Sequence, residues 1–148
     1  MSHSLCSLHF HIVFSTEGRL PLITAELKPR LFAYLGGIVR ELDGKAVIIN
    51  GMSDHVHMII TVPPTLAVAA CMRVVKSNSS RWARQDEHRR FAWQSGYSAF
   101  TVSTSQMPHV VRYIRDQEKH HRRISFQQEL LALLRKNQVE FDERYLWD

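Results

Sequence analysis

Apolar and polar residues alternate from Leu5 to Ser15, LCSLHFHIVFS. Leu8, Phe10, Ile12 and Phe14 share one face of an extended chain, and His9, His11 and Val13 share the other, which predicts a first strand. Gly18 to Pro21 reads as a loop. Pro29, tolerated in the first turn of a helix and not in its interior, opens a helix through LFAYLGGIVREL to about Leu42. Asp43-Gly44 is a turn signal. Lys45 to Met52 and His55 to Val62, joined by Ser53-Asp54, predict a hairpin of second and third strands. Pro63-Pro64 ends it, and Thr65 is placed to cap a second helix reaching about Arg84. A charged loop, Gln85 to Arg90, leads to a fourth strand centred on Ala99 to Val102. Ser105 then caps a helix running through His121. Ser125 and Gln128 form a capping-box pair ahead of a last amphipathic helix ending near Lys136.

This order, β-α-β-β-α-β and then two helices, predicts an α+β fold. It is the ferredoxin-like split arrangement, with a sheet, helices on one face and two C-terminal helices beyond it. No repeat, low-complexity segment or composition break divides residues 1–148, so one domain is expected.

A 45% hydrophobic share supports a packed core, and 19 Lys and Arg against 14 Asp and Glu leave a net charge of +5. That balance leans towards a polyanionic partner. Cys6 and Cys71 have no CxxC spacing, which excludes a zinc ribbon and a disulfide scaffold and suggests a reducing compartment. No long apolar run predicts a membrane span, and MSHSLCSLHFH lacks the order of a signal peptide, so a cytoplasmic location is expected.

The chemistry concentrates in histidines, of which there are 9. In DHVHMII, His55 and His57 are two apart on a strand and point the same way, while Val56, Met58 and Ile60 point to the opposite face. Two imidazoles so placed can hold one divalent ion, or can be hydrogen-bonded residues of a sheet. His9 and His11 repeat the spacing on the first strand. In a ferredoxin-like sheet that strand neighbours the third, so both pairs can line one patch. Barrel hydrolases with such a motif need about 250 residues. H-E-x-x-H, G-x-S-x-G, G-x-G-x-x-G and a Walker loop are all absent.

A second constellation lies on VVRYIRDQ. Tyr113 and Gln117 are four apart and share a helix face, among Arg112, Arg115, Lys119, Arg122 and Arg123. A phenol on a basic helix can meet a phosphate backbone, or can simply pack.

Taken together, HIVFST at 11–16, DHVHMII at 54–60, Lys76-Ser77 with Ser79-Ser80, FAWQSGYSAFTVS at 91–103, YIRDQEKHH at 113–121 and the DERYLW tail resemble the single-tyrosine HUH transposases of bacterial insertion sequences. His-hydrophobic-His is His55-Val56-His57. The resemblance implies that Tyr113 is the catalytic nucleophile, that His55 and His57 are metal ligands, and that Gln117 supplies a third. His9 and His11 do not match the catalytic pair and are left a structural or DNA-facing role. The implied cofactor is a divalent metal ion, Mg²⁺ or Mn²⁺. The implied activity is cutting and rejoining single-stranded DNA through a 5′-phosphotyrosine, on substrates with subterminal hairpins. The implied assembly is a homodimer in which the tyrosine can act in trans. Arg73, Lys76, Arg81 and Arg84 on the second helix, with Arg112 and Arg115, are the candidate DNA-binding residues.

Three rival readings are distinguishable. A domesticated relative acting on palindromic repeats would use the same chemistry. A non-catalytic ferredoxin-like nucleic-acid-binding module would stack bases on strand aromatics such as Phe10 and Phe14. A structural metal-binding protein would tolerate Tyr113→Phe.

Overall fold

The computed structural model describes residues 4–86 and 88–147. Glu87 of the expected 85–90 loop and Asp148 of the acidic tail lie outside the described residues, as do residues 1–3. Four strands, β1 (His9–Ser15), β2 (Lys45–Gly51), β3 (His55–Thr61) and β4 (Ser98–Thr101), form one sheet in the order β2-β3-β1-β4. Every neighbouring pair is antiparallel. This is the ferredoxin-like α+β arrangement expected from the element order. Pairing of β1 begins only at His9, because β3 ends opposite it at Thr61.

Alternation along β1 and β3 gives the sheet two different faces. Ile12, Phe14, Val56, Met58 and Ile60 are buried beneath α1 (Leu27–Glu41) and α2 (Val68–Gln85), against Leu31, Leu35, Met72 and Val75. Phe14 is wholly buried there and Phe10 packs against the same cluster. Neither ring can serve as a base-stacking platform, which corrects that part of the binding-module reading. The opposite face carries His11, Val13, His55 and His57. It is closed by α3 (Met107–Arg115), α4 (Gln117–His120) and α5 (Phe126–Lys136), whose Phe126, Leu130 and Leu134 pack on Val13 and Phe100. A short α6 (Glu143–Leu146) ends the chain.

Helix starts depart from the expected caps. The α1 helix begins at Leu27, whose N–H donates to Thr24 Oγ1 at 3.1 Å, so Pro29 sits within the first turn rather than opening it. Thr65 caps nothing, because Leu66 N–H donates to Pro63 O in a tight turn and α2 starts at Val68. Ser105 lies in a 3-10 turn and α3 starts at Met107. The expected helix through His121 is broken at Asp116. The cause is tertiary: the Asn50 amide on β2 donates to Ile114 O at 2.9 Å and Arg115 O at 3.1 Å. Those bonds supply partners for carbonyls at the end of α3, where helical ones run out. The α5 capping box forms as read, with Gln128 N–H on Ser125 Oγ and Ser125 N–H on Gln128 Oε1.

Candidate functional site

The β2-β3 hairpin sets the histidines. Gly51 is required at its neck, because a Cβ there would stand 2.1 Å from His55 O. The register places His57 opposite Val13 and His55 opposite Ser15, with both imidazoles pointing beneath α3 to α5 and fully buried.

A carboxylate lies at the centre of the cluster. Glu129, on the inner face of α5, accepts through Oε1 from His57 Nε2 at 2.9 Å and from His121 Nε2 at 3.1 Å, with His55 Nε2 at 3.5 Å. Its Oε2 accepts from Gln117 Nε2 at 2.9 Å and from the Tyr113 hydroxyl. Gln117 Oε1 faces His55 Nε2 at 3.0 Å and His121 Nε2 at 3.1 Å. Tyr113 is held by stacking on His120, ring centroids 4.6 Å apart, and lies edge-on to His57 at 6.0 Å. The expected quartet of His55, His57, Tyr113 and Gln117 therefore converges, all within one chain.

The ligand atoms of His55, His57, His121 and Glu129 lie within 4.8 Å of one another. Each imidazole has a partner at its far nitrogen: Asp54 Oδ1 accepts from His55 at 2.7 Å, Ile124 O accepts from His121 at 3.0 Å, and His11 Nε2 lies 2.8 Å from His57 Nδ1. Imidazoles that hold a metal are oriented in this way by their outer partners. The donor set, three imidazole nitrogens and a carboxylate, suits Mn²⁺ or Zn²⁺ better than Mg²⁺, which prefers oxygen. The residues thus fit a divalent cation. His11 takes the structural role left to it, as the partner of His57, while His9 Nδ1 bonds Thr61 Oγ1 at 2.9 Å.

Electrostatics follow from burial and from Glu129. Burial works against a charged His55, but its bonds to Asp54 and Glu129 prevail and hold its pKa up at about 9. Burial lowers His11 to about 3, with His57 adding to the effect. His57 is lowered too, since burial outweighs the pull of Glu129. For Glu129, burial is overcome by hydrogen bonds from His121, His55 and His57, which hold its carboxyl far below the usual range. Burial and the Glu129 charge push the Tyr113 phenol well above its ordinary value.

Glu129 and His121 were not among the expected site residues. A signal for Glu129 exists: Phe126, Leu130, Leu133 and Leu134 make the apolar stripe of α5, and Glu129 falls inside it. An acid there must be paired.

The six candidate DNA-binding residues divide between two faces. Arg112 and Arg115 are exposed on the tyrosine helix. Arg73, Lys76, Arg81 and Arg84 belong to α2, across the sheet from Tyr113. Lys76 Nζ donates to Gln94 O at 2.6 Å and Gly96 O at 2.7 Å, and burial lowers its pKa to about 8. Arg84 donates to Phe91 O at 3.2 Å, and Arg81 to Asn78 Oδ1 at 3.0 Å. Arg73 is exposed and lines, with Lys76, Arg84, Trp93 and Tyr97, a groove of about 450 Å³. Cys6 and Cys71 are free. Among the described residues no helix is long and apolar enough to cross a membrane.

Known proteins point the same way. The transposase for insertion sequence element IS200 of Salmonella typhimurium is 22% identical over 129 residues, covering 80% of this chain and 84% of the relative. The ISDra2 transposase TnpA of Deinococcus radiodurans is 21% identical over 117 residues, covering 74% and 84%. The fold matches a solved structure from Deinococcus radiodurans R1 described as a transposase, with TM-score 0.62, 21% identity, and 79% of this chain and 95% of that one covered. It also matches a REP-associated tyrosine transposase solved bound to a REP hairpin, with TM-score 0.60, 17% identity, and 82% and 74% covered. The family model described as "Transposase IS200 like" matches residues 4–117, a span that includes His55, His57, Tyr113 and Gln117 and stops short of His121 and Glu129. On that match, over most of its length, the chain belongs to the IS200-like transposase family.

Proposed function

We propose that this transposase cuts and rejoins single-stranded DNA, with Tyr113 as a covalent nucleophile and a divalent cation at the histidine cluster. The observation that carries the reading is the bridge made by Glu129, which touches the imidazoles with one oxygen and the Tyr113 hydroxyl with the other. His55, His57, His121 and Glu129 would hold the cation, with Gln117 beside them. Once bound, it supplies positive charge that polarises the scissile phosphate and lowers the phenol pKa.

The chain's own residues do the rest. At rest the phenol is protonated, and burial and the Glu129 charge hold it so. For attack, the Tyr113 proton leaves to water as the phenolic oxygen forms a bond to phosphorus. The bond from phosphorus to the 3′ oxygen breaks, and that oxygen takes up a proton as a free 3′-OH. The 5′ phosphate stays on Tyr113, and a 3′-OH of another strand reverses the step without ATP. Arg112 and Arg115 follow the phosphates near the cut. Arg73 and Arg81, across the sheet, take the phosphates of a hairpin stem, while Lys76 and Arg84 shape that groove through their carbonyl bonds. Tyr113 lies edge-on to His57 of its own chain at 6.0 Å, and in a homodimer the tyrosine helix can serve the histidines of its own chain or of the partner.

The test uses labelled single strands from either side of the gene, Mn²⁺ or Mg²⁺, and denaturing gels. A covalent band that needs metal and disappears in Tyr113→Phe and His57→Ala is expected. Binding of the strands with no covalent band under either metal would contradict the enzymatic reading and favour a binding module. Acting on genomic palindromic repeats instead of a mobile element would leave every band the same and be revealed by the flanking DNA.

A further inference from the structure

A cavity of about 660 Å³ opens beside the nucleophile, between β4, α3 and α5. Its walls are Phe100, Val110, Ile124 and Leu133, and both Tyr113 and Glu129 line it. Gln106, His109, Lys136 and Asn137 contribute polar groups, with Lys136 the cationic one. The volume lies within the roughly 300–1,000 Å³ of small-ligand sites, and apolar walls with a few polar groups are their usual make-up. The metal cluster needs none of the wall residues.

We propose that this cavity holds one unpaired nucleobase, that of the nucleotide retained on Tyr113 after cleavage. The inference rests on Tyr113 being the nucleophile. Displacement in line sends the departing 3′ oxygen away from the phenol, while the retained nucleotide stays joined through its phosphate to Tyr113, which lines the cavity. The base of that nucleotide must leave the strand's stack to bring phosphorus to the hydroxyl, and the cavity that Tyr113 lines offers that base an apolar wall. Gln106, His109 and Asn137 can meet its polar edge. Lys136 matches the charge of its phosphate. Phe100 and Leu133 therefore select for the presence of a base at the first position after the nick, and the polar groups select among bases.

Ala132 lines the cavity, is exposed on α5 and belongs to neither the cluster nor the nucleophile, so Ala132→Trp fills the space while leaving every cluster residue in place. The nick is first mapped from the covalent reaction. Strands with a normal base, or an abasic analogue, at the next position are then compared. Binding is measured with the uncleavable Tyr113→Phe chain, and adduct formation with the active one. The wild-type cavity is expected to favour the base-bearing strand by about tenfold, within the range that base stacking contributes. Ala132→Trp is expected to remove that preference while melting like the parent. A 2-aminopurine at the same position is expected to change fluorescence on binding the parent and not the filled variant. Equal adduct formation and binding with abasic and normal strands would overturn the pocket and leave the nuclease reading standing. No covalent adduct on any strand would overturn both together.

Discussion

Replacing Glu129 by Gln removes one charge from the centre of the site and keeps its shape. In the parent, Oε1 faces His57, His121 and His55 at 2.9, 3.1 and 3.5 Å, and Oε2 takes the Gln117 amide at 2.9 Å and the Tyr113 hydroxyl. All the approaching groups are donors. Glutamine offers one oxygen, and its NH₂ must face either the imidazoles or Gln117. At least one buried donor is then unpaired, which costs about 1–3 kcal/mol. The remaining bonds lose their charge assistance, and breaking a buried ionic contact from one side costs about 3–5 kcal/mol. A loss of about 4 kcal/mol at pH 7 is therefore expected for the metal-free chain, a large part of the roughly 5–15 kcal/mol that holds a domain folded. Urea unfolding in chelator, followed by circular dichroism, measures it. The loss should shrink as the pH rises towards 10. His55, raised to about 9 partly by Glu129, gives the parent stability that is present below about 6.5 and lost as pH climbs through 9. A loss under about 1 kcal/mol at pH 7, or one that grows with pH, would refute the view of Glu129 as the buried acceptor of the cluster.

Other consequences follow from the same geometry. The metal-free parent should lose up to about 3 kcal/mol between pH 6.5 and 9.5 as His55 gives up its proton, read by denaturant midpoints; a flat profile would contradict the raised His55 value of about 9. Across that window affinity for Mn²⁺ should rise about tenfold per pH unit, because binding must displace the His55 proton; calorimetry in buffers of different ionisation heat would find about one proton released. Gly51→Ala forces a Cβ to within 2.1 Å of His55 O. It should cost roughly 2–4 kcal/mol and weaken metal binding, and an unchanged melting temperature would show that the hairpin neck has slack.

Local signals carried much of the fold. Alternation in β1 and β3 revealed which side chains share a face, and the Ser125-Gln128 box marked the start of α5 because both partners lie within one turn. The two histidines, the tyrosine and Gln117 were legible as a resemblance, and the structure gathers them. What escaped was decided at a distance. The break at Asp116 comes from Asn50, on another element, and no nearby residue announces it. Thr65 and Ser105 have the chemistry of caps and are overruled by the turns around them. Glu129 was hidden by the opposite bias, since an acid among leucines reads as a surface residue until its place on the apolar stripe is noticed. The basic residues on α2 were read as phosphate contacts from charge alone, and the carbonyl bonds that Lys76 and Arg84 make could not be read from the sequence.

The chain has 4 tyrosines, at positions 34, 97, 113 and 145, and this allows the central claim to be tested at a single atom. The covalent complex formed with single-stranded DNA is digested with nuclease and protease, and the modified peptide is sequenced by mass spectrometry. The account predicts one nucleotide joined through its 5′ phosphate to Tyr113 and to no other residue. A nucleotide on Tyr34, Tyr97 or Tyr145, a linkage through a 3′ phosphate, or no modified peptide at all would contradict it.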